Sequence, residues 1–536
     1  MITKLFRVII CALLFLACSE DHKVIEPYDS FAGIHEDEYE IVSTILSSNG
    51  ITDVSVEEVI SSVRGEVTGL FLNDLGLTSL PQQVGSLQSL EVIHLQNNSL
   101  DSLPESLGDL SELTLLNIQN NTLERLPQSI GRLSNLISLY CSSNILTSLP
   151  QQLGECSSLQ VLALEFNRIE DLPSSIVDLT SLHTLRLHAN AIQTLPEQFG
   201  NLNDLTTLTL NNNNLTTLPE SFGLLANLDS LTVHSNQLED LPASFGHLQL
   251  ESLKLYNNAL TSLPGSICEI EELCTLSIAG NSLEFLPEEI GSLTRLVILD
   301  CSENMLSSLP STIQNLNRLQ VLNLSHNTID TLSPEVGSLM ALLTLNLAGN
   351  NISFLPDSFI NLSNLREINL SDNSLDSLPV LLNHLSSLQS LSLNGNQLHS
   401  LPDSIVYLSS LRRLEISDNQ LLTLPRHFDY LQNLRELDMA NNRLTSLPDS
   451  IHLLNTNYVQ VEGNRLCDMS EKAEQWLHSI DADYLSKQQC NTSSDNGIST
   501  TMSLPDKGRT KRMSPFSDQH FCLAIPEKMH FRMEKL

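Results

Sequence analysis

Apolar and polar positions return along this chain every 23 residues. In the copy that begins at Leu319, apolar side chains stand at Leu319, Leu322, Leu324, Ile329 and Leu332, with Asn327 between them, in the order L-x-x-L-x-L-x-x-N-x-I-x-x-L. The pattern can be laid on starts at 67, 90, 113, 136, 159, 182, 205, 228, 250, 273, 296, 319, 342, 365, 388, 411, 434 and 456, so the spacing is 23 with two 22-residue exceptions. A period this strict implies stacked units that each pack only on their neighbours. One long array therefore replaces the three or four globular domains that 536 residues would otherwise suggest.

Within a unit, the leucines at the fourth and sixth positions point the same way from a period-2 strand and can stack into one continuous core. Parallel strands need a crossover, and the second half of each unit supplies it. That half usually reads L-P-x-x-[IVF]-G-x-L, as from Leu149-Pro150 to Leu153-Gly154. Proline holds the preceding leucine extended and has no N–H to pair, which predicts a tightly coiled or irregular return, not a helix. At 332–334 the order shifts to Leu-Ser-Pro. The ninth position is asparagine in seventeen of the eighteen copies, from Asn98 to Asn464, and Leu75 in the first. A carboxamide offers two donors and an acceptor to a chain leaving a buried strand, so these asparagines are expected to be structural.

Eighteen such copies resemble the leucine-rich repeat family over residues 67–466. The resemblance implies an α/β solenoid, a horseshoe with a parallel concave sheet, a mostly irregular convex side and helical caps at both ends. Its L-P-x-x-[IVF]-G-x-L style is similar to repeats of Ras-binding scaffolds, plant resistance proteins and bacterial surface proteins. Fold likeness does not carry function across.

The flanks complete the domain plan. Lys4 and Arg7 precede an apolar run from Val8 to Ala17, too short to span a bilayer and laid out as a secretory signal over 1–17. Phe15-Leu16-Ala17-Cys18 resembles a bacterial lipobox, which implies lipidation of Cys18 and a membrane anchor. Residues 18–35 read as a tether. In 36–66 two amphipathic helices are expected to cap the first strand, one carrying Ile41, Val42, Ile45 and Leu46 and stopped by Asn49-Gly50. The other starts from a Ser55–Glu58 capping box and buries Val56, Val59, Ile60 and Val63. Residues 467–490 resemble the C-terminal cap of extracellular and bacterial relatives. That resemblance implies a Cys467–Cys490 disulfide and a short helix, with Trp476, Leu477 and Leu485 covering the last repeat. Whether Cys268 and Cys274 pair stays open. The tail, 491–536, has no periodicity and is expected to be disordered.

Charge narrows the partners. Sixty-three acidic against 27 basic residues give −36, spread through the array, which disfavours nucleic acid. No phosphate loop, H-E-x-x-H, G-x-S-x-G, EF-hand or zinc-type cysteine spacing occurs, so no enzyme, cofactor or metal is expected. The candidate surface is the concave one. Fifth, seventh and eighth repeat positions there hold Phe71, His94, Tyr140, Phe166, Arg186, His188, His234, Lys254 and Tyr256 in the first nine repeats, and mainly small or acidic residues later. Aromatic and arginine side chains dominate binding hot spots. Repeats 4 to 9 are thus expected to contact a protein or glycan. The resulting expectation is a non-enzymatic, exported, lipid-anchored, monomeric binding protein at the bacterial surface or outer membrane. The alternatives are an intracellular signalling scaffold, a secreted or cytoplasmic form, and an enzyme with an unrecognised site.

The intact mass of the N-terminal peptide from the native host checks the anchor. An acylated peptide beginning at Cys18 is expected, and an unmodified Met1 would rule the anchor out.

Overall fold

The computed structural model describes residues 33–490; Cys18 and the expectations for the signal, most of the tether and the tail lie outside them. Helix α1 (Glu36–Ser48) leads into strand β1 (Ile60–Val63), which pairs antiparallel with β2 (Glu66–Phe71). From β2 onward every neighbour is parallel, strand upon strand, from β3 (Val92–His94) to β19 (Tyr458–Gln460). The register is a pure repeat translation, for example Leu322 opposite Leu345 and Leu299. Leu319, Leu322 and Leu324 are fully buried, and their equivalents are buried in the other repeats except the last, where Thr456 and Val459 are partly exposed. Each buried leucine contributes about 1.5–3 kcal/mol, so stability accumulates along the array.

All seventeen asparagines make the same bonds. Each Nδ2 donates to a carbonyl at the end of its own strand and to the equivalent carbonyl of the preceding repeat, and each Oδ1 accepts a backbone N–H from that preceding repeat. For Asn327 the partners are Cys301 O at 3.0 Å, Leu324 O at 3.0 Å and Leu306 N at 2.9 Å. Leu75 has no earlier repeat to bond, and its own N–H is taken by Asn98.

Immediately before the asparagine, the chain is left-handed in every repeat, with φ between +52° and +72° from Asp74 to Gly463. Gly, Asn and Asp tolerate that conformation best and fill most of these places. On the convex side, prolines start one-turn 3₁₀ segments that stack on those of the next repeat. Gly108 sits so close to its neighbour that an added Cβ would lie 2.3 Å from Ser129 O. Phe199, Phe222 and Phe245 form a buried stack there, with centroids 6.1 and 5.9 Å apart. In the repeat with Leu-Ser-Pro, Pro334 enters the first 3₁₀ position, where its missing N–H costs nothing.

The caps differ from expectation in detail. Helix α1 buries Val42, Ile45 and Leu46 and ends at Asn49, whose Oδ1 accepts from Thr78 N at 2.8 Å, while Glu38 accepts from Val67 N at 2.6 Å. The second expected helix is absent. A single 3₁₀ turn, Val56–Glu58, leads directly into β1; Ser55 caps no backbone N–H, its Oγ meeting Glu58 Oε1 at 3.3 Å instead, and Val63 is exposed. Four β-compatible residues, Ile60–Val63, gain ladder bonds by closing a hairpin onto β2, which shields that strand's free edge better than a helix turn could. At the other end, α2 (Glu471–Ile480) is capped by Ser470 and buries Trp476 and Leu477. Leu485 is exposed, and Tyr484 is buried in its place. Cys467 and Cys490 are joined in a disulfide with Cα atoms 5.8 Å apart, while Cys268 and Cys274 are free.

Replacing Asn327 with leucine leaves the buried Leu306 N–H without a partner and takes one of two asparagine donors from Cys301 O and Leu324 O, and is expected to destabilise the array by about 1–3 kcal/mol, read from denaturant unfolding. An unchanged midpoint would contradict the structural role.

Candidate functional site

The exposed rows of the sheet follow from the strand period. With Leu139, Leu162 and Leu185 turned into the core, their neighbours on either side face outward. The fifth-position row runs in register through Tyr140, Ala163, Arg186, Thr209, Thr232 and Lys254, five strand steps or roughly 24 Å. The adjacent seventh-position row holds Ser142, Glu165, His188, Asn211, His234 and Tyr256. The candidate residues therefore share one face.

Ring contacts tie several of them together. Phe166 meets His188 edge-on with centroids 5.1 Å apart, and His234 stacks on Tyr256 at 4.1 Å. Phe71 and His94 stack at 5.5 Å four repeats away. His188 Nδ1 lies 3.0 Å from Thr209 Oγ1, and Lys254 is exposed. Tyr140, Arg186 and Tyr256 are half-buried and held by further contacts. Such fixed side chains lose little entropy on binding.

Phe166 occupies the left-handed position with φ +56°, where a bulky residue costs about 1–3 kcal/mol, yet its side chain is 57% exposed. Packing does not repay that strain.

Two features escaped the sequence pattern. Glu165 sits between Ser142 and His188, only 8% exposed, and its Oε2 meets no hydrogen-bond donor. A hydrophobicity template treats a polar residue at that position as solvated. The third-position row also faces outward, and in late repeats it carries Arg413, which pairs with Glu436 at 2.7 Å, and the half-exposed Tyr458. Around it the far end of the face is acidic, with Glu415, Asp438 and Glu462; burial, and then these two glutamates, hold the Asp438 carboxyl above its usual range despite bonds from Ala440 and Ser417 that pull it down.

Chemistry is sparse elsewhere. Burial pushes the thiols of Cys156 and Cys268 up to about 12, with nearby glutamates adding to it, and raises Cys141 and Cys301 as well, so none is a nucleophile at neutral pH. Among the described residues no group of three or more His, Cys, Asp or Glu is placed to hold a metal ion, and no helix is long and apolar enough to cross a membrane.

Comparison with known proteins agrees with this architecture. Leucine rich repeat family models match residues 180–238, 294–352, 341–398 and 386–444, and another matches 89–110. A leucine-rich repeat protein of Leptospira interrogans is 34% identical, with 77% of this chain and 100% of that chain covered and a TM-score of 0.60. The chain belongs to the leucine-rich repeat family. As a leucine-rich repeat solenoid it is built as a protein-interaction module. It is also similar to YopM of Yersinia enterocolitica, 26% identical over 81% of this chain and 96% of that one, TM-score 0.54. The plant peptide hormone receptor RGFR1, solved in complex with RGF2, is 26% identical over 78% of this chain and 85% of its own, TM-score 0.51. Comparison with curated proteins finds no match.

The histidines supply a pH test. Burial holds His94, His188 and His234 below the ordinary value of 6.5; Glu165 partly offsets this at His188, and Lys254 adds to it at His234. Between the depressed folded value and 6.5 the unfolded chain binds more protons, so the stability these rings contribute is fully present above 6.5 and is lost as pH falls through that window. Replacing His188 and His234 with glutamine should therefore flatten the melting temperature between pH 7 and 5 relative to wild type. An identical slope in both proteins would show that these rings do not contribute.

Proposed function

We propose that this protein is a non-enzymatic, exported and lipid-anchored binding module whose concave face, across repeats 4 to 9, captures a protein partner. The observation that carries the reading is the pair of adjacent rows that hold Tyr140, Arg186 and Lys254 in one and His188 and Tyr256 in the other. Large side chains stand there on a rigid sheet, although folding requires only that they not clash. The strained, exposed Phe166 next to Glu165 at the end of its strand supports it. So does the peptide-hormone complex formed by the similar plant receptor RGFR1. The lipid anchor rests on Cys18 and its lipobox-like sequence. Affinity on such a surface comes from a preformed shape and a few central aromatic and arginine contacts, while the surrounding acidic field steers and selects.

Alanine at Tyr140, Arg186 and Tyr256 together is expected to shift stability by no more than about 0.5 kcal/mol per site. The same variant should weaken binding of peptides selected on the wild-type protein by about tenfold or more. Selected peptides that bind this variant as well as wild type would move the contact surface elsewhere.

A further inference from the structure

Glu165 is the one carboxylate of the central concave face that is more than nine-tenths buried, and its Oε2 has no donor. No donor stands within hydrogen-bond reach of that oxygen. Ser142 Oγ accepts from Gln119 Nε2 at 2.5 Å, and His188 Nδ1 lies against Thr209 Oγ1. Leaving a buried charged oxygen unpaired is costly, so an orphaned one calls for a partner.

The surroundings define what would pair with it. Ala163, the small residue of the fifth row, lies in register between Tyr140 and Arg186, so the surface is lowest next to Glu165. The exposed Phe166 ring stands at the rim. A neutral N–H would satisfy the oxygen but leave its charge buried, whereas a cation satisfies both requirements. The half-buried Tyr140 and the exposed Phe166 offer the apolar and π surface that the stem and head of a long basic side chain prefer. The chain's −36 charge draws basic partners to the molecule.

We propose that Glu165 is the acceptor for one lysine or arginine of the protein partner, seated over Ala163 between Tyr140 and Phe166. This rests on the concave face being the binding surface. Entry requires side-chain rotation only, which is ordinary at interfaces.

The test is a random dodecapeptide phage library panned on the full chain, followed by fluorescence anisotropy on the best synthetic peptides. Selected peptides should share a basic residue at one aligned position. Changing it to norleucine, or changing Glu165→Gln in the protein, should each weaken binding about thirtyfold, with little further loss when both are changed. Additive losses, or peptides that lack a shared basic residue, would overturn the proposal. If binding survives E165Q but falls in the Tyr140, Arg186 and Tyr256 alanine variant, the concave face stands and only the role of Glu165 is lost. Peptides insensitive to both variants would overturn the two readings together. E165Q keeps the side-chain shape, and the Glu415→Gln control removes the same charge at the far end of the face and should bind as wild type.

Discussion

A chain that dives into a buried strand and leaves it again every 23 residues strands backbone N–H and C=O groups at each exit, and the fold stands on how these are paired. One asparagine per repeat does it, donating within its own repeat and back to the repeat before, and accepting from the repeat before. The bond spans two repeats, so each unit is completed only by its successor. The array has to be long, and its first end has to be finished by different chemistry. Asn49 of α1 plays that part on Thr78 and Ser79, and Glu38 on Val67 N.

The same economy sets the two faces apart. The core side of each strand is committed to leucine, and the convex return is committed to proline and to glycines that leave no space for a Cβ. Only the outward rows of the sheet are free to vary without cost to the stack. Large residues concentrated there, as at Tyr140, Arg186 and Tyr256, therefore report on something other than folding. Phe166 is the sharpest case, because it breaks the left-handed preference of its position and still stays exposed.

The face has a polarity along its length. Its middle is aromatic and cationic, with burial holding His188 and His234 below the ordinary imidazole value, and its far end is acidic around Asp438. A partner lying along it meets different chemistry at each end, which favours one orientation over the reverse.

Periodicity alone determined the solenoid, the parallel strand order, the inward leucines, the asparagine ladder and the face on which Tyr140 through Tyr256 lie, because every one of these repeats with the chain and depends on nearest neighbours. Tertiary structure decided what happens once per molecule. Ile60–Val63 became a hairpin strand because β2 offered an open edge, and Tyr484 displaced Leu485 from the last interface. Glu165 is buried among the side chains of the adjoining repeats, although its place in the repeat faces outward. Burial at such a point is set by side chains 23 residues away on either side, and no local pattern contains that information.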